Sequence, residues 1–415
     1  MRTNEIRGNS VLILGYGREG KSVHAWLKKH YPSLHIAIAD KKTDGDAYLE
    51  HLGDYDSVIR SPGVSPYSGK MQEYVQKGGH VTSATNIFFS LVKGMTVGVT
   101  GTKGKSTTSS LIAHILTKHY ADVRLVGNIG TPMLDELDSE NPDTVFVIEL
   151  SSHQLSDVRY SPHIAVLLGI VSEHMDYYRD FASYVSAKSN IIRYQTGSDV
   201  MVYNPDHPEV AAVARMGKAV HKPFHVNESG VSASHILGNA ENIAAAVMVA
   251  RVTGVSQEII DRQLATFTPL PHRLEFSGEY HGIRFYNDSL ATIPQATIHA
   301  LAALGPEVST LIAGGYDRHL DYSVLGAYLD THPVGTLILF PDTGKRIWDA
   351  LSERTKKQTQ VYHVESMEKA VHVAYANTKK GNICLLSPAS ASYNMFRDYA
   401  DRGEQFKAWV KKIGE

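Results

Sequence analysis

The residues with the clearest chemical potential lie in the glycine-rich segment Gly98–Thr107 (GVTGTKGKST). The segment follows an apolar run and precedes a helix-like stretch, which is the arrangement of a phosphate-binding loop. In such a loop the N–H groups at the helix start bind phosphate oxygens, Lys105 reaches the outer phosphates, and the hydroxyl of Ser106 or Thr107 ligates Mg²⁺. The strict pattern GxxxxGK[ST] is not met, because Val99 stands at its first glycine. The order of the other residues still predicts phosphate binding.

A second glycine-rich turn, Gly15–Gly20 (GYGREG), lies near the N-terminus, and Asp40 ends the next apolar run. This spacing matches the dinucleotide-binding fingerprint, in which the acidic residue meets a ribose hydroxyl. The pattern requires only a tight turn and close packing of a helix. It therefore fits NAD, and it equally fits another nucleotide.

Acidic and basic side chains follow two further apolar runs. Glu149 comes directly after Val145–Ile148, where it is either a Mg²⁺ ligand of the Walker-B kind or a solvated loop acid. His174, beside Asp176, is either a metal or phosphate contact or an ordinary surface histidine. Lys188, taken alone, has the pattern of a lysine on a helix surface.

Short β-branched apolar runs recur along the chain and must position these residues. They are Val11–Leu14, Ile36–Ala39, Thr96–Val99, Val145–Ile148, Ala165–Leu168, Val200–Tyr203, Thr310–Ala313, Thr336–Phe340 and Ile383–Leu386. Helix-like segments such as Ser106–His119 and Ala240–Val252 lie between them. Continuous apolar runs of this length are typical of buried parallel strands, so the alternation predicts an α/β fold. Ligands of such folds bind at the carboxyl ends of the strands.

Length and composition restrict the class of protein. The 415 residues allow two to four domains, and the formal net charge of −2 argues against a nucleic acid or an anionic membrane surface as the main partner. The single cysteine, Cys384, excludes a disulfide framework and lies in a strand-like run, so it is expected in the core. The longest apolar stretch, around Ile164–Val171, is too short to span a bilayer, and no apolar leader is visible. We therefore expect a protein of the reducing cytoplasm.

Taken together, in their order and spacing, these blocks resemble the Mur ligase family, and within it the branch that adds glutamate to UDP-N-acetylmuramoyl-L-alanine. The resemblance runs along nearly the whole chain. Further blocks that carry it are Ser61–Val64, Gly127–Gly130, Asn204–Asp206, Leu270–Arg273, Asn287–Ser289, Gly314–Gly315, Leu386–Ala389 and Arg402–Gly403. It implies a three-domain α/β protein. The domains would be a Rossmann-like domain over residues 1–84 that binds UDP rather than NAD, a P-loop ATPase domain with a mainly parallel sheet over 85–270, and a Rossmann-like domain over 271–415 that brings in the amino acid.

The resemblance also implies a reaction, ATP-dependent amide-bond formation in peptidoglycan precursor synthesis. The carboxylate of UDP-N-acetylmuramoyl-L-alanine takes the γ-phosphoryl group of ATP, and the amine of glutamate, expected to be D-glutamate, then displaces phosphate. The expected cofactors are ATP and Mg²⁺. Both partners are small-molecule substrates, no nucleic acid or membrane partner is expected, and the chain is expected to be a monomer.

The same resemblance assigns roles to individual residues. The catalytic candidates are Lys105, His174 and Lys188. The ATP-binding candidates are Gly101, Thr102, Lys103, Gly104, Lys105, Ser106, Thr107, Asn242, Arg273 and Asp288. The candidates for the UDP-substrate are Gly17, Arg18, Glu19, Asp40, Ser61 and Asn128. The amino-acid candidates are Thr292, Arg318, Ser392, Tyr393 and Tyr399. The metal candidates are Ser106, Glu149, His174 and Lys188, the last as a carbamate.

The chain departs from the family pattern mainly around the amino-acid candidates. Leu290 and Arg318 stand where the family has lysines, and Tyr393 stands where leucine is common. These changes leave open a variant that uses L-glutamate or another amino acid.

Three other functions account for fewer of these residues. A folylpolyglutamate-synthase-like ligase would lack a UDP-binding unit such as Gly15–Gly20. An NAD-dependent oxidoreductase would leave the phosphate loop unused. A nucleotide-dependent sensor on a decayed ligase would not need Lys105 and Glu149.

Overall fold

The protein is described here from a computed structural model that covers residues 3–173, 177–226, 240–268 and 271–415. The chain divides into two compact units, Met1–Phe267 and Thr268–Glu415. Within the described ranges the strands form three sheets, two in the first unit and one in the second. Nearly all strand pairs are parallel and helices connect them, so the predicted α/β fold with mainly parallel sheets is confirmed.

The first sheet carries the N-terminal glycine-rich turn. Its strands are β1 (Ser10–Leu14), β2 (His35–Ala39), β3 (Ser57–Arg60) and β4 (Val81–Thr82), which pair in parallel in the order β2-β1-β3-β4. The helices of this region are α1 (Arg18–His30), α2 (Lys41–Asp44), α3 (Gly69–Gln76) and α4 (Ala84–Leu91), with 3₁₀ turns at Gly45–Leu49 and Leu52–Asp54. A Cβ on Gly20 would lie 2.2 Å from the carbonyl oxygen of Gly15. The close approach of α1 to this turn therefore requires glycine.

The second sheet carries the phosphate loop. Its strands are β5 (Met95–Thr100), β6 (Val123–Gly127), β7 (Val145–Glu149), β8 (Ile164–Leu167), β9 (Val200–Tyr203) and β10 (Val220–Pro223), all parallel, in the order β10-β9-β8-β5-β7-β6. The helices are α5 (Lys105–Leu116), α6 (Ser152–Leu155), α7 (Phe181–Arg193), α8 (Pro208–Ala214), α9 (Ala240–Val252) and α10 (Gln257–Thr266), with a 3₁₀ helix at Met133–Ser139. The chain runs from β5 to the edge strand β6, returns to β7, and then crosses β5 to continue through β8 and β9 to the opposite edge. The carboxyl end of β5 is therefore a topological switch point, where ligands bind in such folds.

The third sheet belongs to the second unit. Its strands are β11 (Glu275–Tyr280), β12 (Ile283–Asn287), β13 (Val308–Gly315), β14 (Thr336–Asp342), β15 (Gln360–His363) and β16 (Ile383–Leu386), in the order β11-β12-β16-β13-β14-β15. The pair β11–β12 is antiparallel, and the other pairs are parallel. The helices are α11 (Pro294–Leu304), α12 (Ser323–Thr331), α13 (Thr343–Asp349), α14 (Glu353–Gln358), α15 (Met367–Asn377) and α16 (Tyr399–Gly414), with a 3₁₀ turn at Gly305–Glu307.

The first two sheets share one hydrophobic core. Val11 and Ile13 of β1 belong to the same buried cluster as Phe146 and Ile148 of β7. Phe88 of α4 meets Phe146 edge to face, with ring centroids 5.2 Å apart. Burying each of these side chains stabilises the fold by about 2–3 kcal/mol. Because the cluster takes side chains from both sheets, the two sheets of the first unit are packed as one body.

Every apolar run that the sequence analysis interpreted as a strand lies within a strand or overlaps one by most of its length. The strands that the pattern missed are β3, β4, β6, β10, β11, β12 and β15. Most of these are short, lie at a sheet edge or carry alternating polar residues; β10, for example, is exposed along its length. Cys384 is fully buried in β16, as expected. In the part of the chain that the structure describes, no helix has the length and apolar character needed to cross a membrane.

Candidate nucleotide and metal site

The phosphate loop joins the carboxyl end of β5 to the start of α5. Gly104 precedes α5 with a left-handed backbone (φ +84°), and a Cβ there would lie 2.1 Å from Oδ1 of Asn242. No side chain caps this end of α5, so its first N–H groups remain available to an anion. Asn242, predicted near ATP, lies against the loop and is only 6% exposed. This arrangement can bind a phosphate group.

The side chains of the loop are engaged with its own backbone and with the segment after β8. Lys105 Nζ donates to the carbonyl oxygens of Gly101 (3.1 Å) and Thr102 (2.9 Å). Thr102 Oγ1 donates a hydrogen bond to the carbonyl oxygen of Val171. It also accepts a hydrogen bond of 2.9 Å from the backbone N–H of Val171. Lys103 forms an ion pair with Glu173. The hydroxyl-bearing residues Ser106 and Thr107 are buried in the first turn of α5.

Glu149 ends β7 directly beside the loop, because it pairs with Val99 of β5. Its side chain is 1% exposed. One carboxylate oxygen, Oε1, accepts a hydrogen bond of 2.8 Å from Nδ2 of Asn128, and the backbone carbonyl accepts another from the N–H of Asn128. The other oxygen, Oε2, is buried and has no hydrogen-bond partner among the described residues. A buried carboxylate oxygen is costly to leave unpaired, and a bound cation would satisfy it.

Lys188, on α7, is buried in the same region. It is 1% exposed, and its Nζ donates a 2.7 Å hydrogen bond to the carbonyl oxygen of Gly101. Burial lowers the pKa of Lys188 well below that of a free lysine, and the nearby charge of Lys105 lowers it further. The carboxylates of Glu173 and Glu149 oppose this effect. The neutral amine is thus favoured at this position.

The residues present fit a divalent cation in part. In the described ranges, no group of three or more His, Cys, Asp or Glu side chains is arranged to hold a metal ion. The predicted ligand His174 lies outside the described residues. The unpartnered oxygen of Glu149 and the buried hydroxyl of Ser106 are hard oxygen donors of the kind that Mg²⁺ prefers.

The N-terminal glycine-rich turn is held closed by its own polar contacts. Ser61 Oγ donates to the carbonyl oxygen of Gly15 (2.7 Å), and Asp40 accepts from the backbone N–H groups of Tyr16 and Lys42. These backbone hydrogen bonds lower the pKa of Asp40. Nothing lies within 4 Å of the Cβ position of Gly17, so the space in front of the turn is open.

Arg18 and Glu19, predicted to meet the UDP-substrate, contact residues at or just beyond the strand ends of the second sheet. The guanidinium of Arg18 donates to the carbonyl oxygens of Gly127, Asn128 and Gly130. Glu19 accepts a hydrogen bond of 2.6 Å from Nε2 of Gln154, and burial raises its pKa. Both side chains are therefore committed to contacts within the protein.

In the C-terminal unit, Asp288 lies in the turn after β12 and is 6% exposed. Its oxygens accept hydrogen bonds from Ser387 Oγ (2.8 Å) and from the backbone N–H of Leu274 (3.2 Å). Burial raises the pKa of Asp288 to about 7, although these hydrogen bonds and the charge of Arg273 act in the opposite direction. Arg273, the other ATP candidate of this unit, is half-buried beside it.

The amino-acid candidates gather partly at the carboxyl end of the third sheet. The guanidinium of Arg318 lies 5.5 Å from the centre of the Tyr393 ring, and that ring meets Tyr316 at 6.2 Å. Arg318 and Tyr393 are exposed, whereas Ser392 beside them is buried. Thr292 is half-buried before α11, and Tyr399 is partly exposed at the start of α16. No described contact joins either of them to Arg318.

Two buried arginines organise these regions and were not singled out from the sequence. Arg60, fully buried at the end of β3, pairs with Asp157 (2.8 Å) and donates to the carbonyl oxygen of Val64 (2.7 Å). Arg402, on α16, is also fully buried. Its guanidinium donates to backbone carbonyls of Ser289, Ser390 and Ala391. The only signal in the sequence was the place of Arg402 in a block that resembles the family.

Comparison with known proteins shows which family the chain resembles. Residues 99–235 match the Mur ligase middle domain, and residues 272–390 match the Mur ligase glutamate ligase domain. The chain is 33% identical to the UDP-N-acetylmuramoylalanine–D-glutamate ligase of Acetivibrio thermocellus, over 99% of this chain and 97% of that protein. It is also 33% identical to the UDP-N-acetylmuramoyl-L-alanine–L-glutamate ligase of Salinispora tropica, over 99% of both.

Among solved structures, a MurF ligase of Thermotoga maritima in complex with ADP has the same fold. The TM-score is 0.58 at 18% identity, covering 99% of this chain and 98% of the other. At this identity the likeness concerns the fold. The full-length sequence relatives carry the stronger statement, and they confirm the prediction from the motifs: this chain is an enzyme of the Mur ligase family.

Proposed function

We propose that the protein is an ATP-dependent ligase that joins D-glutamate to UDP-N-acetylmuramoyl-L-alanine in the synthesis of peptidoglycan precursors. In this proposal residues 1–84 bind the UDP end of the substrate, residues 85–270 bind ATP, and residues 271–415 bring in glutamate. The protein acts as a monomer in the cytoplasm, with ATP and Mg²⁺.

One observation carries the proposal. At the carboxyl end of β5 a phosphate loop, a buried lysine and a buried carboxylate with one unpartnered oxygen lie together: Lys105 and Lys188 both contact the carbonyl oxygen of Gly101, and Glu149 pairs with Val99 in the adjoining strand. A phosphoryl transfer between two anions needs cationic groups and N–H donors placed in advance. An oxidoreductase would have no use for this cluster.

The first step transfers a phosphoryl group. The substrate carboxylate oxygen attacks the γ-phosphorus of ATP, the bond to the β,γ-bridging oxygen breaks, and ADP leaves. The N–H groups at the start of α5 bind the phosphates, and Lys105 moves from the loop carbonyls to the transferred group, where it stabilises negative charge. Bound Mg²⁺ would supply further positive charge, held by Ser106 and Glu149.

In the second step the free amine of glutamate attacks the carbonyl carbon of the acyl phosphate. The tetrahedral intermediate collapses, phosphate leaves, and the amine loses a proton.

The open space in front of Gly17, with Asp40 and Ser61 at its border, is the proposed place of the uridine end.

Lys188 is proposed to carry a carbamate. Its lowered pKa favours the neutral amine, which is the form that attacks CO₂; the product is the carbamate and a released proton. An anionic group at this position would be compatible with Lys105 and would complete the oxygen donors around a cation.

A second candidate, ligation of L-glutamate, is favoured by the surroundings of Arg318. Its guanidinium lies 5.5 Å from the centre of the Tyr393 ring, a distance at which the ring face attracts a cation. Arg presents a planar pair of donors where the family has an ammonium, so it would hold a carboxylate in a different geometry. Such a change can alter which enantiomer presents its amine correctly.

The test is a ligation assay with UDP-N-acetylmuramoyl-L-alanine, ATP and either D- or L-glutamate, in which phosphate release and the coupled product are measured. We expect turnover with D-glutamate. Turnover with L-glutamate alone would establish the second candidate. Inertness toward both, with ATP bound, would refute glutamate ligation.

A further inference from the structure

The first turn of α1 contacts the chain on both sides of Glu149. Arg18 forms one side of this contact: Nη2 donates to the carbonyl oxygens of Gly127 (2.8 Å) and Asn128 (2.9 Å), and Nη1 donates to that of Gly130 (3.1 Å). Three carbonyls of one turn thus converge on a single guanidinium. The planar fork of arginine suits this geometry, whereas a lysine would offer one charged nitrogen.

The turn that Arg18 holds, Gly127–Gly130, also holds the backbone and side chain of Glu149 through Asn128. The backbone N–H of Asn128 donates to the carbonyl oxygen of Glu149 (3.0 Å), and its Nδ2 donates to Oε1 (2.8 Å). A Cβ on Gly127 would lie 2.4 Å from the same carbonyl oxygen, so the turn is pressed against the end of β7. Asn128 therefore determines which carboxylate oxygen stays free, and Arg18 determines where Asn128 lies.

Glu19 forms the other side. Its Oε1 accepts from Nε2 of Gln154, and this orients the amide so that Oε1 of Gln154 accepts from the N–H of Ser151 (2.9 Å). Ser151 and Gln154 form the capping box of α6, which begins three residues after Glu149. The segment that follows Glu149 is thereby tied to the first turn of α1. The same turn of α1 holds the Gly127–Gly130 turn through Arg18.

We propose that Arg18 and Glu19 are positioning residues that hold Glu149 ready to ligate a divalent cation. They act on the reaction through Asn128 and Gln154, and not by contact with the uridine. The inference rests on the proposed function only in treating Glu149 as a metal ligand. Groups that orient a ligand from behind typically change metal affinity roughly 10- to 100-fold when they are removed.

The experiment uses the full chain and Mn²⁺ alone as the probe, with free Mn²⁺ counted by electron paramagnetic resonance. Glu149→Gln defines which bound Mn²⁺ depends on Glu149. The test variants are Arg18→Ala, Glu19→Ala and Asn128→Ala, and Glu19→Gln keeps the acceptor oxygen. The matched control is Lys28→Ala, which removes an exposed cation from the same helix.

We expect Arg18→Ala and Glu19→Ala to weaken the Glu149-dependent Mn²⁺ binding roughly tenfold, at the low end of such effects. Glu19→Gln should restore most of the affinity, and Lys28→Ala should leave it unchanged. In the Asn128→Ala background, Arg18→Ala should have no further effect, because both residues act on one path. Melting temperatures measured in parallel separate this pattern from general loss of the fold.

Unchanged Mn²⁺ affinity in Arg18→Ala, or equal effects of that change with and without Asn128, would overturn the inference. So would the absence of Glu149-dependent Mn²⁺ binding in the parent protein. A raised KM for UDP-N-acetylmuramoyl-L-alanine at unchanged Mn²⁺ affinity would instead assign Arg18 to the substrate. If the parent fails to ligate glutamate but shows the expected Mn²⁺ pattern, the proposed function fails and the positioning role stands.

Discussion

Replacement of Asp288 by asparagine should stabilise the C-terminal unit in a pH-dependent way. Asp288 is buried between Ser387 and the backbone of Leu274, which each donate one hydrogen bond to it. Asparagine has the same shape and keeps an acceptor oxygen. Its NH₂ group would face the Ser387 hydroxyl, which can rotate to accept. The change therefore removes a titratable proton at little cost in packing.

The magnitude follows from the pKa of Asp288, which burial raises from 3.8 to about 7. Below about pH 4 the carboxyl is protonated in the folded and unfolded chain, and its contribution to stability is fully present. Between about pH 4 and pH 7 the unfolded chain releases the proton while the folded chain keeps it, so stability falls as the pH rises. The whole displacement corresponds to about 4 kcal/mol, since one pH unit is worth about 1.4 kcal/mol. The gain from Asp288→Asn should therefore grow by about 3 kcal/mol between pH 5 and pH 8.

Urea unfolding followed by tryptophan fluorescence measures this gain. In a Trp26→Phe background the remaining tryptophans, Trp348 and Trp409, lie in the C-terminal unit and report it alone. Asp349→Asn, at an exposed position of α13, is the matched control and should show no such growth with pH. A stability difference between Asp288→Asn and its parent that stays constant from pH 5 to pH 8, or that shrinks, would refute the argument.

Three further outcomes are expected. Lys105→Ala should abolish glutamate-dependent phosphate release, because the loop loses its charge on the transferred group, whereas Lys118→Ala, exposed beyond the end of α5, should not; persistent release would contradict the role of Lys105. Gly104→Ala should weaken binding of a fluorescent ATP analogue at least roughly tenfold, because its Cβ would meet Asn242 and its φ is positive; unchanged binding would show that the loop tolerates both. Arg402→Lys should lower the free energy of unfolding of the C-terminal unit by about 2–4 kcal/mol, measured with the same tryptophans, because one ammonium cannot satisfy all the carbonyls that the guanidinium serves; a smaller loss would mean that water replaces it.

The parts of the fold that the sequence predicted are those with a local cause. A continuous apolar run needs no distant partner to be interpreted as a buried strand, and β5, β7 and β16 follow from it. The phosphate loop is likewise local, because Gly104 and the start of α5 are consecutive in the chain. By contrast, β11 has no fully buried residue and pairs antiparallel to β12, so no continuous apolar run marks it.

The parts that could not be predicted depend on contacts between distant segments. Arg60 pairs with a carboxylate 97 positions away, and Arg402 donates to a serine 113 positions away. Nothing in their neighbours distinguishes these arginines from exposed ones. The same holds for Arg18: the resemblance to the family implied a contact with the UDP-substrate, but nothing in the sequence indicated its hydrogen bonds to the carbonyls of a turn more than one hundred positions further on.

The three fully buried cations of the described chain differ in how their charge is satisfied, and the difference bears on function. Arg60 has a carboxylate partner in Asp157, and Arg402 spreads its charge over several carbonyl groups. Lys188, which carries three donors when protonated, has a single described hydrogen bond, to Gly101, and its Nζ lies 4.8 Å from the centre of the Tyr184 ring. The like charge of Lys105 acts against its protonation, although Glu149 and Glu173 partly oppose this effect. An arginine with several hydrogen-bond partners can stabilise a fold from a buried position. A charged lysine with one such partner cannot, because the free energy of its desolvation exceeds what a hydrogen bond to one carbonyl contributes. The burial of Lys188 therefore favours the neutral amine, which is the state from which the proposed carbamate would form.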